Sequence, residues 1–224
     1  MGAKISGIGS RTLEIEGVEE LEALHLKNAS DRIETGTYMI AAAMHPESEL
    51  TLTHAAIDQL GDFPSIFKET GVTLDINKEE ETIYIKAPDE IRPVSVETAI
   101  YPGFPTDLQA QWATMMTQAK GPSTVTETIY TDRYSYVPEL NRLGASIQVD
   151  ENVAKIDAPT PLSGATVMST DLRASVSLVM ATLIAKGESE VLRIYHLDRG
   201  YEELENKLNR AGASIERVDD QEAE

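Results

Sequence analysis

The sequence predicts an α/β domain made of three repeated units, with one buried helix from each unit side by side at the centre and sheets and outer helices wrapped around them. Three observations predict it. Three stretches repeat one order of patterns, their first helices lack a polar face, and their second helices are amphipathic and end at glycine.

Each unit opens with an aspartate and a run of small or apolar residues. These are "DRIETGTYMIAAAM" from 31, "TDLQAQWATMMTQAKG" from 106 and "TDLRASVSLVMATLIAKG" from 170. A helix that is small or apolar nearly all round is buried on every side. A β-rich stretch follows each: "SELTLTHA", "STVTETIY" and "SEVLRIYH". Next comes an amphipathic helix, "PSIFKETG", "YVPELNRLG" or "YEELENKLNRAG", whose apolar stripe (Tyr201, Leu204 and Leu208 in the third) faces a sheet. The last residues of these helices, Gly71, Gly144 and Gly212, stand where a left-handed C-cap belongs. A strand pair beginning "GVTLDI", "GASIQVD" and "GASIERV" is expected to close the units, usually with a further strand before the next helix. Opening aspartate and closing glycine lie about 40 residues apart in all three units.

The N-terminus departs from this order. "MGAKISGIGSRTLEIEG" has the form of a unit's end, like "LGASIQVDENVAKIDAP", with no helix before it. Residues 1–30 are therefore expected to be the tail of a preceding repeat, and the chain to be the downstream part of a longer polypeptide. A native N-terminal hairpin is the alternative. Residues 31–218 are expected to form the domain and residues 219–224 an acidic, frayed tail.

Composition narrows the function. Of 224 residues 41% are hydrophobic and only 5% aromatic, so the core must be built from Leu, Ile, Val, Ala and Met. With no cysteine, disulfides, thiolate metal sites and a cysteine nucleophile are excluded within the chain. A net charge of -19 argues against nucleic acid as a partner, because phosphate backbones need clustered Lys and Arg. No secretory leader or long apolar span is present, so no membrane partner and a cytoplasmic location are expected. There is no Gly-rich phosphate loop, G-x-S-x-G or H-E-x-x-H, and His25, His45, His54 and His196 lack metal-ligand spacing. Trp112 reads as core.

If the three buried helices run parallel, their N-termini meet at one end, where unpaired N–H groups attract anions. Asp31, Asp107 and Asp171 sit at these starts. Each is explained by N-capping alone, or by chemistry at the shared end. Arg133 in "TDRY", Arg173 in "TDLR" and Arg199 in "LDRG" stand at helix starts, where a cation costs roughly 0.3–1 kcal/mol. They either pair with the adjacent aspartates, which is worth little, or bind a polyanion through their guanidinium forks.

"DRIETGTYMIAAA", "FPTDLQAQ", "TDLRASVSLVMA" and "RIYHLDRGYE", in that order, closely resemble the C-terminal half of the UDP-N-acetylglucosamine 1-carboxyvinyltransferase family of enolpyruvyl transferases. The resemblance covers nearly the whole chain. The related 5-enolpyruvylshikimate-3-phosphate synthases share the fold but not these strings. It implies one of two similar domains, each an inside-out α/β barrel of three units. It further implies transfer of enolpyruvyl from phosphoenolpyruvate to the 3-hydroxyl of UDP-N-acetylglucosamine, in the cleft between the domains, with no metal or organic cofactor. Asp107 matches the aspartate proposed as general base at that hydroxyl, Thr106 a sugar contact, and Ile129 the position whose backbone meets the UDP-sugar. Arg133, Arg173 and Arg199 match arginines of the phosphoenolpyruvate and phosphate region, with Arg199 placed beside Asp107 among the catalytic residues. Asp171 matches an acid near the reacting groups, and Asp31 and Glu34 match cleft-lining acids near the interdomain hinge. The family's lid-loop cysteine, the lysine of its N-terminal "KNA" motif and two phosphate-binding arginines belong to the other domain. The implied partners are thus both substrates and the missing N-terminal domain, with no turnover by this chain alone and a homo-dimer through the exposed interdomain face. The alternative is a non-catalytic UDP-sugar-binding or interaction module of the same fold.

Overall fold

The computed structural model describes residues 1–218, so the acidic tail lies outside the described residues. Strands β1 (Lys4–Ser6) and β2 (Glu14–Glu16) form an antiparallel hairpin, and every residue from 1 to 30 is exposed.

The first unit runs α1 (Arg32–Met44), β3 (Glu49–Leu52), α2 (Phe63–Glu69), β4 (Thr73–Asn77) and β5 (Thr82–Lys86). Its sheet has the order β3-β5-β4, antiparallel throughout. The second runs β6 (Val96–Glu97), α3 (Gln109–Met116), β7 (Ser123–Thr126), α4 (Val137–Arg142), β8 (Ser146–Asp150) and β9 (Val153–Asp157). Its sheet has the order β6-β7-β9-β8, with β6 and β7 parallel. The third comprises β10 (Thr166–Met168), α5 (Leu172–Ile184), β11 (Glu190–Leu192) and α6 (Leu204–Arg210), with β10 parallel to β11. A parallel pair needs a crossover, and in both of these units the crossover is the buried helix.

Gly71, Gly144 and Gly212 take φ of 95°, 103° and 101°, the left-handed C-caps the sequence implies. One expectation fails. The closing stretch of the third unit, residues 213–218, forms no strand among the described residues. Its start is held as in the second unit: Asn209 bonds both backbone groups of Ile215 at 2.8 and 2.9 Å, as Asn141 does those of Ile147 at 2.9 and 3.0 Å. What differs is pairing. β4 and β8 are each fixed by a return strand, β5 and β9, and the described residues offer 213–218 no such partner.

The three central helices pack as their composition demands. All eight residues of α3 are buried, as are residues 174 to 181 of α5. α1 lies so close to the turn before α3 that a Cβ on Gly36 would come within 2.5 Å of Leu108 Cδ1. Gln111 of α3 reaches Thr37 of α1 at 3.1 Å, so the early turns of the two helices lie side by side.

The chain's three phenylalanines and single tryptophan form one cluster. Phe104 meets Trp112 edge-on at 5.3 Å between centroids, and Phe63 of α2 touches both, at 6.0 and 6.2 Å. Trp112 Nε1 donates to the Val94 carbonyl at 3.1 Å, satisfying its one polar atom. This cluster pins the chain immediately before Thr106 and Asp107. No helix among the described residues is long and apolar enough to cross a membrane.

Gly36→Val is expected to lower the unfolding free energy by about 1–3 kcal/mol through overpacking against Leu108. A urea midpoint equal to that of the wild type would refute the close approach.

Candidate functional site

The three opening aspartates divide into two kinds. Asp31 caps α1, accepting from the amides of Ile33 and Glu34 at 2.6 and 3.3 Å. Asp171 caps α5, accepting from those of Arg173 and Ala174 at 2.8 and 2.9 Å. Asp107 is not a cap. It lies in the 3-10 turn Thr106–Leu108 that leads into α3, and no capping side chain is found there.

Two arginines hold the Asp107 carboxylate instead. Arg133 Nη1 is 2.8 Å from Oδ1 and Arg173 Nη2 is 2.9 Å from Oδ2. Neither arginine pairs with the aspartate next to it in sequence. Arg133 comes from the loop between β7 and α4, Arg173 from the first turn of α5, and Asp107 from the entry to α3. Arg133 also donates to Thr106 Oγ1 at 3.0 Å and stacks over the Tyr130 ring at 5.2 Å. One carboxylate between two guanidiniums leaves this clamp net positive in a protein of charge -19. Burial pushes the Asp107 pKa up, but the charges of Arg173 and Arg133 and their hydrogen bonds outweigh it, so the net shift is downward. Asp171 lies beside the clamp, accepting from Ser135 Oγ at 2.7 Å. Burial raises its pKa too, and the bonds from Ala174, Ser135 and Arg173 bring it below the ordinary value.

Polar groups back this site from below. Thr37, Gln111 and Tyr201 form a buried knot, with Thr37 Oγ1 and Tyr201 Oη 2.9 Å apart. Glu127, which the sequence reading passed over, is wholly buried. Its Oε2 accepts from Thr106 Oγ1 at 2.7 Å and Gln109 Nε2 at 3.3 Å. Its Oε1 accepts from Thr98 Oγ1 at 2.7 Å and from the amides of Ile129 and Tyr130 at 2.7 and 3.0 Å. The signal for it was strand alternation: Ser123, Val125 and Glu127 share the inward face of β7 and its continuation. A carboxylate at an inward position needs a reason.

The remaining expected residues are not gathered at the clamp. Ile129 is on the turn after β7 with its N–H taken by Glu127. Arg199 is exposed on the 3-10 stretch Ile194–Arg199, which packs on the start of α5 where Gly200 meets Leu172. Its neighbour Asp198 pairs with Arg217 at 2.9 Å. Glu34 binds Lys207 at 2.7 Å. Asp31 and Glu34 line a separate open cleft of about 2400 Å³ between α1, α5 and α6, whose lining includes none of Asp107, Arg133 and Arg173. The clamp borders only a small notch, lined by Thr106, Arg133, Asp171 and Arg173 among others. Among the described residues no group of His, Asp and Glu could hold a metal ion.

Three units around convergent buried helices, with an arginine-clamped carboxylate where those helices begin, define a domain of the enolpyruvyl transferase type. The chain belongs to the EPSP synthase (3-phosphoshikimate 1-carboxyvinyltransferase) family, whose model matches residues 1–208. It is 53% identical over 217 residues to the UDP-N-acetylglucosamine 1-carboxyvinyltransferase of Chloroherpeton thalassium, covering 97% of this chain and 50% of that protein. To the protein of the same name from Chlorobaculum parvum it is 49% identical over 222 residues, covering 99% and 52%. The crystal structure of the enolpyruvyl transferase NikO from Streptomyces tendae superposes with a TM-score of 0.84 at 29% identity, over 97% of this chain and 51% of that one. The chain thus spans about half the length of the relatives it matches, and the one-domain enolpyruvyl transferase fold expected from the sequence is the fold observed.

The depressed Asp107 pKa has a consequence for stability. A carboxyl whose folded pKa lies below its unfolded value stabilises above the unfolded value, and that stabilisation is lost as pH falls through the folded one. Wild type should therefore exceed Asp107→Asn in urea midpoint at neutral pH. The margin should shrink once pH drops below the ordinary aspartate value of 3.8. A margin independent of pH would refute the clamp.

Proposed function

We propose that this domain supplies the sugar-side base and the phosphate-side arginines of an enzyme that moves enolpyruvyl from phosphoenolpyruvate to the 3-hydroxyl of UDP-N-acetylglucosamine. The setting is cytoplasmic synthesis of peptidoglycan precursors. The observation that carries the reading is Asp107 held between Arg133 and Arg173, in a chain about half identical to proteins named UDP-N-acetylglucosamine 1-carboxyvinyltransferase.

The chemistry needs both kinds of group close together. The 3-hydroxyl must lose a proton as its oxygen bonds to C2 of phosphoenolpyruvate, and phosphate must leave from that carbon. Asp107 is the acceptor for the hydroxyl proton, from a distance of about 2.6–3.2 Å in the reacting complex. The guanidiniums match phosphate and carboxylate oxygens. In the free chain the base is restrained, because two cations at contact lower its basicity. An anionic substrate that draws Arg133 and Arg173 towards itself raises the basicity of Asp107 at the moment it is needed. Thr106 and the backbone of Ile129 take the sugar side, Asp171 flanks the transferring group, and Arg199, which stands away from the clamp in the free chain, is a further residue of the phosphate side. Asp31 and Glu34, in the separate cleft, take the hinge side. No metal or organic cofactor is called for. The protein half outside this chain supplies the opposite wall and the remaining phosphate ligands. An apolar interdomain face left open in the domain alone would favour its self-association.

Titration calorimetry with UDP-N-acetylglucosamine is expected to show weak binding that Asp107→Ala abolishes. Binding that survives unchanged in Asp107→Ala removes Asp107 from the sugar site. With both substrates present, a phosphate-release assay on this chain is expected to read zero, and measurable turnover would show that the second half is dispensable.

A further inference from the structure

The Glu127 carboxylate is the most heavily solvated-by-protein group in the chain's second unit. Five donors converge on its two oxygens, all between 2.7 and 3.3 Å, and the residue is wholly buried. None of the five is a cationic side chain. A buried carboxylate satisfied by dipoles alone is costly to keep unless every lone pair is engaged.

A turn cap accounts for part of this arrangement. The amides of Ile129 and Tyr130, two and three residues on, are the donors a local cap would collect. It does not account for Thr98, Thr106 and Gln109, which come from two other segments. Thr106 is the informative one. Its hydroxyl donates to Glu127 Oε2 at 2.7 Å and accepts from Arg133 Nη1 at 3.0 Å, and Arg133 Nη1 in turn lies 2.8 Å from Asp107 Oδ1. The ionised carboxylate dictates the direction of the hydroxyl proton, and so turns the lone pairs of Thr106 towards the guanidinium.

We propose that Glu127 is a positioning residue of the site: it acts through Thr106 to aim Arg133 at Asp107, and in the same stroke fixes the 127–130 turn that carries Ile129. The carboxylate is effective because it is acceptor-only. An amide in its place offers one oxygen, so either the turn amides and Thr98, or Thr106 and Gln109, must lose their acceptor.

The inference rests on reading Asp107 and Arg133 as site residues, but its test needs no substrate and so fails or succeeds independently of the proposed reaction. The experiment is a carbon-detected NMR titration of the Asp107 carboxyl in the full chain, in wild type, Glu127→Gln and Thr106→Val. Two effects of Glu127→Gln have opposite signs. Removing a nearby negative charge lowers the Asp107 pKa, whereas losing the aim of Arg133 raises it. The expected result is a rise of about half a pH unit or more, with the near-ultraviolet dichroism of the aromatic cluster unchanged. A fall, or no movement, in a folded Glu127→Gln protein overturns the proposal. Should that variant fail to fold, Thr106→Val decides. It cuts only the link from Glu127 to Arg133, and must raise the Asp107 pKa in the same way; an unmoved titration overturns the proposal there too.

Discussion

The arginine-clamped carboxylate depends on three buried helices that pack directly against one another. α3 is buried along its whole length, and α1 comes close enough to the start of α3 that Gly36 has no room for a side chain. Close packing of small residues fixes axial position as well as distance, since interiors pack to crystal density and tolerate little sliding. The entries to α3 and α5 are therefore brought level to within a hydrogen bond, which is the tolerance an ion pair between Asp107 and Arg173 requires. The aromatic cluster around Trp112 serves the same end from outside, by holding the turn before Asp107 in place.

That level arrangement sets the electrostatics. An arginine in the first turn of a helix works against the helix dipole, and Arg173 stands there because a carboxylate from the neighbouring unit faces it. The pair is only partly exposed, with 16% of the Arg173 side chain and 34% of that of Asp107 open to solvent. Behind the charges lie further polar groups: the neutral Thr37, Gln111 and Tyr201 under one side, Thr106 and the Glu127 carboxylate under the other. Such backing holds charged groups in one geometry before any ligand arrives, the condition under which electrostatic catalysis is effective. Asp107 is meanwhile kept a poor base.

The repeat is a plan of construction that the three units apply unequally. The Asn141 and Asn209 loops are alike to the level of individual hydrogen bonds, yet only the first is followed by a strand. Local sequence prepares a strand, and a neighbouring strand completes it. The aspartates show the same inequality. Asp31 and Asp171 follow the capping rule, while Asp107, inside the 3-10 turn that follows Pro105, is turned away from the helix amides and towards the arginines.

The sequence by itself determined what short-range physics can determine. The small-residue runs required buried helices, the amphipathic stripes required outer ones, and Gly71, Gly144 and Gly212 marked turns that only a left-handed residue makes easily. It also placed Asp107, Arg133 and Arg173 near helix starts and posed the choice between cap, local pair and ligand site. It did not resolve that choice, because each opening aspartate can cap its helix and Arg133, Arg173 and Arg199 each have an aspartate within two residues along the chain. Only the tertiary structure decided that Arg133 and Arg173 pass over their sequence neighbours and meet at Asp107, that Glu127 gathers donors from three segments, and that residues 213–218 form no strand among the described residues. The reason is the same in each case. Partner choice between segments distant in sequence depends on which helix ends stand level and which strands stand adjacent, and that is set by packing across units rather than by periodicity within one.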